Sequence, residues 1–276
     1  MKKLTFMFTL VLNIILATQL SAQPQMGKMY QSVPADKITI TQSGKDKMYC
    51  PNCGMDLAKF WKTSHAVDFN DGTSKQFCSI YCLVEQLEIT ELRGKEDSIK
   101  TFYVVDVATN NYTDAKKAFY VTGSSIKGTM STTSKYAFAN KKDAQKFKKE
   151  HGGTITDFDG AYKIALKGFA RDTGMVAAKR GSKMYKMGKM LYNKTCDTTK
   201  IESLEAHTMG EMKALIDESN VCKLQSKGMK RDKQLQAIML YYWDVRLGKF
   251  EKLYGQNQEI QKHAQKFKKK FQQMGK

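Results

Sequence analysis

Much that would declare a chemistry is missing from this chain. No nucleophile stands beside a base, no glycine-rich loop is set to cradle phosphate, and no paired acids occur at a diagnostic spacing. The reading is therefore of a protein that is not an enzyme. The single C-x2-C, Cys50-Pro51-Asn52-Cys53, is followed by Gly54 and not by histidine, which excludes covalent haem there. Acids are scarce beside bases, 27 Asp and Glu against 46 Lys and Arg, for a formal charge of +19. Such an excess points to nucleic acid, an anionic membrane surface or an acidic partner. None of the aromatic–basic motifs of an RNA or DNA module accompanies it, so nucleic acid is set aside. Beyond Ala17 no stretch is apolar enough to span a bilayer.

The one long apolar run, Leu4 to Ala17, follows Lys2 and Lys3 and precedes the small residues Ser21 and Ala22. It is shorter than the ~20 residues a bilayer span needs. Residues 1–22 therefore read as a signal peptide cleaved before Gln23, and the expected location is the periplasm. No cysteine follows the run, so a lipid anchor of the bacterial type is not expected. Export changes how the six cysteines are read. In an oxidising compartment they pair by default as disulfides, and a metal site has to compete for the same sulfurs.

What is present concentrates between Met48 and Cys82. Four of the six cysteines lie there, Cys50 and Cys53 as C-x2-C, then Cys78 and Cys82 as C-x3-C, with Met55 just after the first pair. C-x2-C on a turn lets two sulfurs converge on one ion. The second pair sits where a strand enters a helix, whose N-terminal amides stabilise thiolate. Thiolate with thioether selects soft ions, above all Cu(I), whereas thiolates alone serve Zn(II) equally well. Two readings compete: a pair of disulfides, and a redox C-x2-C using Cys50 and Cys53. Met55 and the hairpin between the pairs have no role in the disulfide reading, and Gly54 does not open the helix a redox motif requires.

After an extended lead-in at 23–47, with a short strand expected at Ile38-Thr39-Ile40, the pattern becomes regular. His65 to Phe69 alternates into the turn Asn70-Asp71-Gly72, and Ser74 to Phe77 closes a hairpin. Ser79 to Leu92 has helical spacing, and Phe102 to Val107 reads as a buried strand. Strand, strand, helix, strand then recurs in Ala118–Thr122, Tyr136–Ala139, Lys141–Glu150 (capped by Asn140 and ended by Gly152-Gly153) and Thr154–Phe158. The expected fold class is α+β, a duplicated strand–strand–helix–strand domain at 48–165. Residues 161–176 read as a linker with Gly168 and Gly174 as breakers. Helices follow over 174–254, and 255–276 is a basic amphipathic tail that could lie on an anionic membrane surface. Met130 is an apolar residue alone in a polar loop, and on the residues alone ligand and incidental exposure stand level. His65 reads as structurally satisfied rather than ligating, and His151 as a helix C-terminal residue favoured by the dipole. Met184, Met187 and Met190, three apart on one helix, read as core filling before copper relay.

Several pieces in order resemble the NosL-type copper chaperones that serve assembly of nitrous oxide reductase: Cys53-Gly54-Met55, Asp71-Gly72 before Phe77, Val105-Asp106, Ala118 to Ser124, Gly128-Thr129-Met130, Ala137-Phe138 and Gly152-Gly153-Thr154. The resemblance covers about 45–165. It implies an exported Cu(I)-binding metallochaperone with Cys53, Met55 and Met130 as ligands, and nitrous oxide reductase or its assembly machinery as partner. Cys50, Cys78 and Cys82 exceed that family's minimal motif and make the segment similar to short heavy-metal trafficking modules, which keeps Zn(II) as the alternative ion. Gly188 to Cys196 and Leu235 to Trp243 look like the first and last helices of a small cytochrome c without its haem-binding histidine. That likeness implies an all-α, haemless cytochrome c-like domain in which Cys196 and Cys222 form a structural disulfide.

Overall fold

In the computed structural model of the chain, residues 29–225 and 229–273 are described, and the expected signal peptide at 1–22 lies outside them. Alternation and the Asn-Asp-Gly turn produce the expected hairpin: β1 (His65–Phe69) pairs antiparallel with β2 (Ser74–Phe77), His65 opposite Phe77. Gly72, at φ 83°, supplies the left-handed turn residue that a side chain would strain. β3 (Ile99–Val105) pairs with the other edge of β1, and β4 (Tyr112–Asp114) completes a sheet of order β2-β1-β3-β4. Between β2 and β3 runs α1 (Ile80–Glu88), buried at Ile80, Tyr81, Leu83, Val84 and Leu87.

A second antiparallel sheet, of order β6-β5-β7, is built from β5 (Phe119–Thr122), β6 (Lys135–Phe138) and β7 (Thr154–Thr156), with α2 (Lys141–His151) between β6 and β7. Both sheets put their first strand in the middle, flanked by their second and third. The two meet at a parallel bridge between Asp106 and Ala137. Asn140 caps α2 by accepting from the Asp143 amide, as its position before a lysine-rich helix predicts.

Two expectations fail for physical reasons. Ile38-Thr39-Ile40 forms no strand, because the β2 edge beside it is satisfied by side chains. The Gln76 amide donates to Gln42 Oε1 at 2.9 Å, and Gln76 Oε1 accepts from the Thr41 amide at 3.0 Å. Residues 161–176 are no linker. They lie in α3 (Phe158–Lys167) and α4 (Phe169–Lys179), with Gly168 at their junction. Phe158, Ala161, Phe169, Met175 and Val176 belong to the same core as Cys50 and Leu83.

The helical region continues that path. α4 passes through a π-helical turn (Arg180–Met184) into α5 (Tyr185–Thr195). Then come α6 (Thr198–Glu202), α7 (Met209–Glu218), α8 (Met229–Leu240) with a π-helical extension (Tyr241–Arg246), α9 (Lys249–Tyr254) and α10 (Gln258–Gln273). A second core forms here around Leu191, Tyr192, Ile201, Met212, Leu235 and Ile238. A disulfide joins Cys196 to Cys222. α10 is the expected tail helix, but its apolar face is used internally: Ile260 is buried, and Phe267 and Phe271 pack on the main core. Gly174 is the crossing point, since a Cβ there would lie 2.5 Å from His263 Cβ. The apolar face that a membrane surface would need is thus already covered. Among the described residues no helix is long and apolar enough to cross a membrane.

At the α5–α8 crossing, a Cβ on Gly188 would collide with the Ala237 carbonyl oxygen and come 2.7 Å from Tyr241 Cβ. Backbone cannot yield as a flexible side chain can, so Gly188→Ala is expected to cost about 2–3 kcal/mol by overpacking. The midpoint of chemical denaturation measures this, and an unshifted midpoint would mean the crossing is looser than described.

Candidate metal centre

The first thiol pair is presented by a turn closed on itself. The Gly54 amide donates to the Cys50 carbonyl at 2.8 Å, and the Cys50 amide to the Met55 carbonyl at 2.8 Å. Gly54 sits at φ 67°, and any Cβ would meet Met239 Cε at 2.5 Å. The second pair straddles the start of α1, with Cys78 just after β2 and Cys82 in the first helical turn. Fold and turn together bring Cys50, Cys53, Cys78 and Cys82 into one cluster whose ligand atoms all lie within 4.8 Å of one another. The Cys53–Cys78 and Cys78–Cys82 sulfurs are 3.5 and 3.7 Å apart. Four sulfurs at ~2.3 Å from one tetrahedral ion lie ~3.8 Å apart, so the cluster is spaced for a single ion.

All four thiols are reduced and buried. Burial opposes a thiolate at Cys50, but hydrogen bonding with Cys53, Cys78 and Cys82 outweighs it and holds Cys50 well below the ordinary thiol range. Cys78, through its bond to Cys50, and Cys82, through burial, are pushed well above it. A bound ion would displace the thiol protons.

Met130 reaches the edge of this cluster, its Sδ 3.9 Å from Cys82 Sγ. Its backbone is at φ 52°. Asn110 and Asn220 share that region, which asparagine tolerates and methionine does not. The strain is held by neighbours. Thr129 Oγ1 and Thr63 Oγ1 are hydrogen-bonded at 2.7 Å, and Thr63 Oγ1 donates to the Cys78 carbonyl. On the other side Asp172, buried on α4, accepts from Ser131 Oγ at 2.7 Å and from the Thr132 amide at 2.9 Å. Met55 is half-buried and lines a cavity beside Met130. Of the methionines at 184, 187 and 190, the first two pack on the second core, as core filling predicts, Met184 alone also lines that cavity, and Met190 is exposed.

The turn bearing Cys50 and Cys53 is gripped from the helical region. Lys213 Nζ donates to the Gly54 carbonyl at 2.9 Å, and Gln236 Nε2 to the Cys53 carbonyl at 2.7 Å. The Met209 amide, at the start of α7, donates to the Pro51 carbonyl at 3.0 Å. From the other side Asn52 Nδ2 donates to the Cys82 carbonyl at 3.0 Å and to Glu85, whose carboxyl burial pushes up to about 7. None of these holding residues was singled out by the sequence.

His65 is no ligand. Its Nδ1 meets the Thr63 carbonyl at 3.1 Å and its Nε2 the Tyr120 hydroxyl at 3.3 Å, a pattern that suits the neutral ring. Burial lowers its pKa from 6.5 to about 4. Below pH 6.5 the unfolded chain takes up a proton that the folded protein refuses, so stability falls as pH drops towards 4. The loss from this one ring is about 3 kcal/mol at full extent. Denaturation midpoints across that window are expected to decline in the native protein and to decline less in His65→Gln; equal slopes would contradict the assignment.

The fold and site define a mixed α/β protein with two small antiparallel sheets and a buried four-thiol cluster that could hold a metal ion. Residues 41–163 match the family model for NosL, under half of the chain and nearly the span over which the motifs were read. A crystal structure of the copper chaperone NosL from Shewanella denitrificans is similar at 25% identity, covering 44% of this chain and 91% of that one, with a TM-score of 0.34. No curated protein matches the chain.

Proposed function

We propose that this chain is an exported, periplasmic Cu(I) metallochaperone that delivers copper for assembly of nitrous oxide reductase. The observation that carries the reading is the cluster itself: four reduced, buried thiols spaced for one ion, with the Met130 thioether against Cys82. The NosL match over 41–163 supports it. Cys50, Cys53, Cys78 and Cys82 would hold the ion, with Met130 and Met55 as soft donors on the side from which it enters and leaves. Delivery is ligand exchange. Bound by only some of these sulfurs at a time, Cu(I) accepts an incoming sulfur or imidazole before a resident ligand departs, and the copper stays monovalent throughout. The two ββαβ halves are read as a repeat, and the helical region as a haemless relative of small cytochromes c that braces the site.

Thiol–disulfide exchange is the less favoured reading, because the Cys50–Cys53 turn does not open an α-helix as a redox C-x2-C does. A structural Zn(II) site remains the second reading, since four thiolates suit it equally. Anaerobic titration with X-ray absorption separates the two. The chaperone reading expects a sulfur-only shell around Cu(I) and weaker binding in Met130→Leu. Purified protein that carries zinc and binds it unchanged in Met130→Leu would overturn it.

A further inference from the structure

A cavity of about 620 Å³ borders Met130, the residue that touches Cys82, and five of its eighteen lining residues are methionine. The chain's own frequency, 16 in 276, would bring about one there. Met55, Met130 and Met175 pack in or on the main core and Met184 on the second, yet all four, with Met29, also border this open space. They come from separate parts of the chain, and Met29, Met175 and Met184 lie outside the residues matched to NosL. Their exposure is graded, from 46% at Met29 to 8% at Met175 and Met130, and Met130 touches Cys82.

We infer that this cavity is a thioether loading site, at which Cu(I) is caught by Met29, Met175 and Met184 before it passes Met130 to the buried thiols. The inference rests on the Cu(I) reading above. Thioethers bind the soft monovalent ion without losing a proton, so capture needs no deprotonation. The cavity's charges suit the same task. Lys127 and Lys179 are exposed at it, and the third base, Arg180, is neutralised by Asp244 at 2.9 Å. Positive charge there repels hydrated cations and favours copper carried on an anionic donor. In the handover the donor–copper bond breaks as a copper–thioether bond forms. A thiol then yields its proton to water as copper–thiolate replaces copper–thioether, with no electron transferred.

Stopped-flow loading tests this, with Cu(I) presented as its anionic bis(bicinchoninate) complex to the full chain and to Met175→Leu/Met184→Leu. Loading is expected to slow about tenfold in the variant, the low end of what a metal site loses with its supporting partners. Leucine keeps the apolar volume, so a cavity that only needs filling would load at the native rate, and that result overturns the inference. Should the double variant fail to fold, methyl-labelled methionine spectra of the native protein decide. Substoichiometric Ag(I) is expected to shift the Met175 and Met184 methyls, and unmoved signals overturn the inference. A native protein that takes up no Cu(I) at all fails the parent reading instead.

Discussion

Cys53→Ser is expected to lower Cu(I) affinity at least about a hundredfold, because even the partners that merely orient ligands are worth about 10–100-fold. The residue is 1% exposed, its sulfur lies 3.5 Å from Cys78, and its carbonyl is fixed by Gln236. A serine hydroxyl is a hard donor that stays protonated, so one corner of the cluster is lost rather than weakened. Competition with a chromophoric Cu(I) chelator measures the change. Serine in place of both Cys196 and Cys222, which are bonded to each other outside the cluster, serves as the control and is expected to bind as the native protein does. Native affinity in Cys53→Ser would sink the cluster as the copper site.

The same substitution separates binding from folding. A buried hydroxyl left without a partner costs about 1–3 kcal/mol, so the metal-free protein should lose some stability. The loss of copper affinity should exceed that cost and should persist at temperatures where the variant is fully folded.

Local chemistry was legible in the sequence, and distant contact was not. C-x2-C and C-x3-C each converge within a turn, so spacing alone paired their sulfurs, and the Asn70-Asp71-Gly72 turn fixed the hairpin between them. Met130 stood out because its immediate neighbours, Thr129 and Ser131, are polar. Lys213 and Gln236 carry no such mark. They are polar residues on helices whose targets, Gly54 and Cys53, lie more than 150 positions away in the chain. Asp172 is hidden in the same way, 40 residues from the loop it holds. Glycine misled for a related reason, since the same residue type serves turns and close approaches. Gly168 does stand at a junction, whereas Gly174 is where α10 crosses α4. The tail's periodicity was read correctly, but its covering surface belonged to a distant element.

Lys213→Met should reveal what that distant grip does. The lysine side chain is fully buried and donates to the Gly54 carbonyl, to Gln236 Oε1 and to Asp232, each at 2.9 Å, with its ammonium 4.3 Å from the centre of the Tyr49 ring. Removing it does not orphan Asp232, which keeps Lys59 as a partner. It does strip two acceptors, and each buried acceptor left bare costs about 1–3 kcal/mol. Methionine recovers part of this by dispensing with a buried ammonium, so a net loss of about 2–4 kcal/mol is expected. The exposed pair Lys45–Glu218 is the comparison, because breaking it should cost less than about 1 kcal/mol. Stability alone would make Lys213 a structural residue. The brace assignment requires more, namely a Cu(I) affinity about tenfold lower in fully folded Lys213→Met, since the turn presenting Cys50 and Cys53 is then free to drift. Native copper affinity in a destabilised variant would mean that the helical region steadies the fold without steadying the thiols.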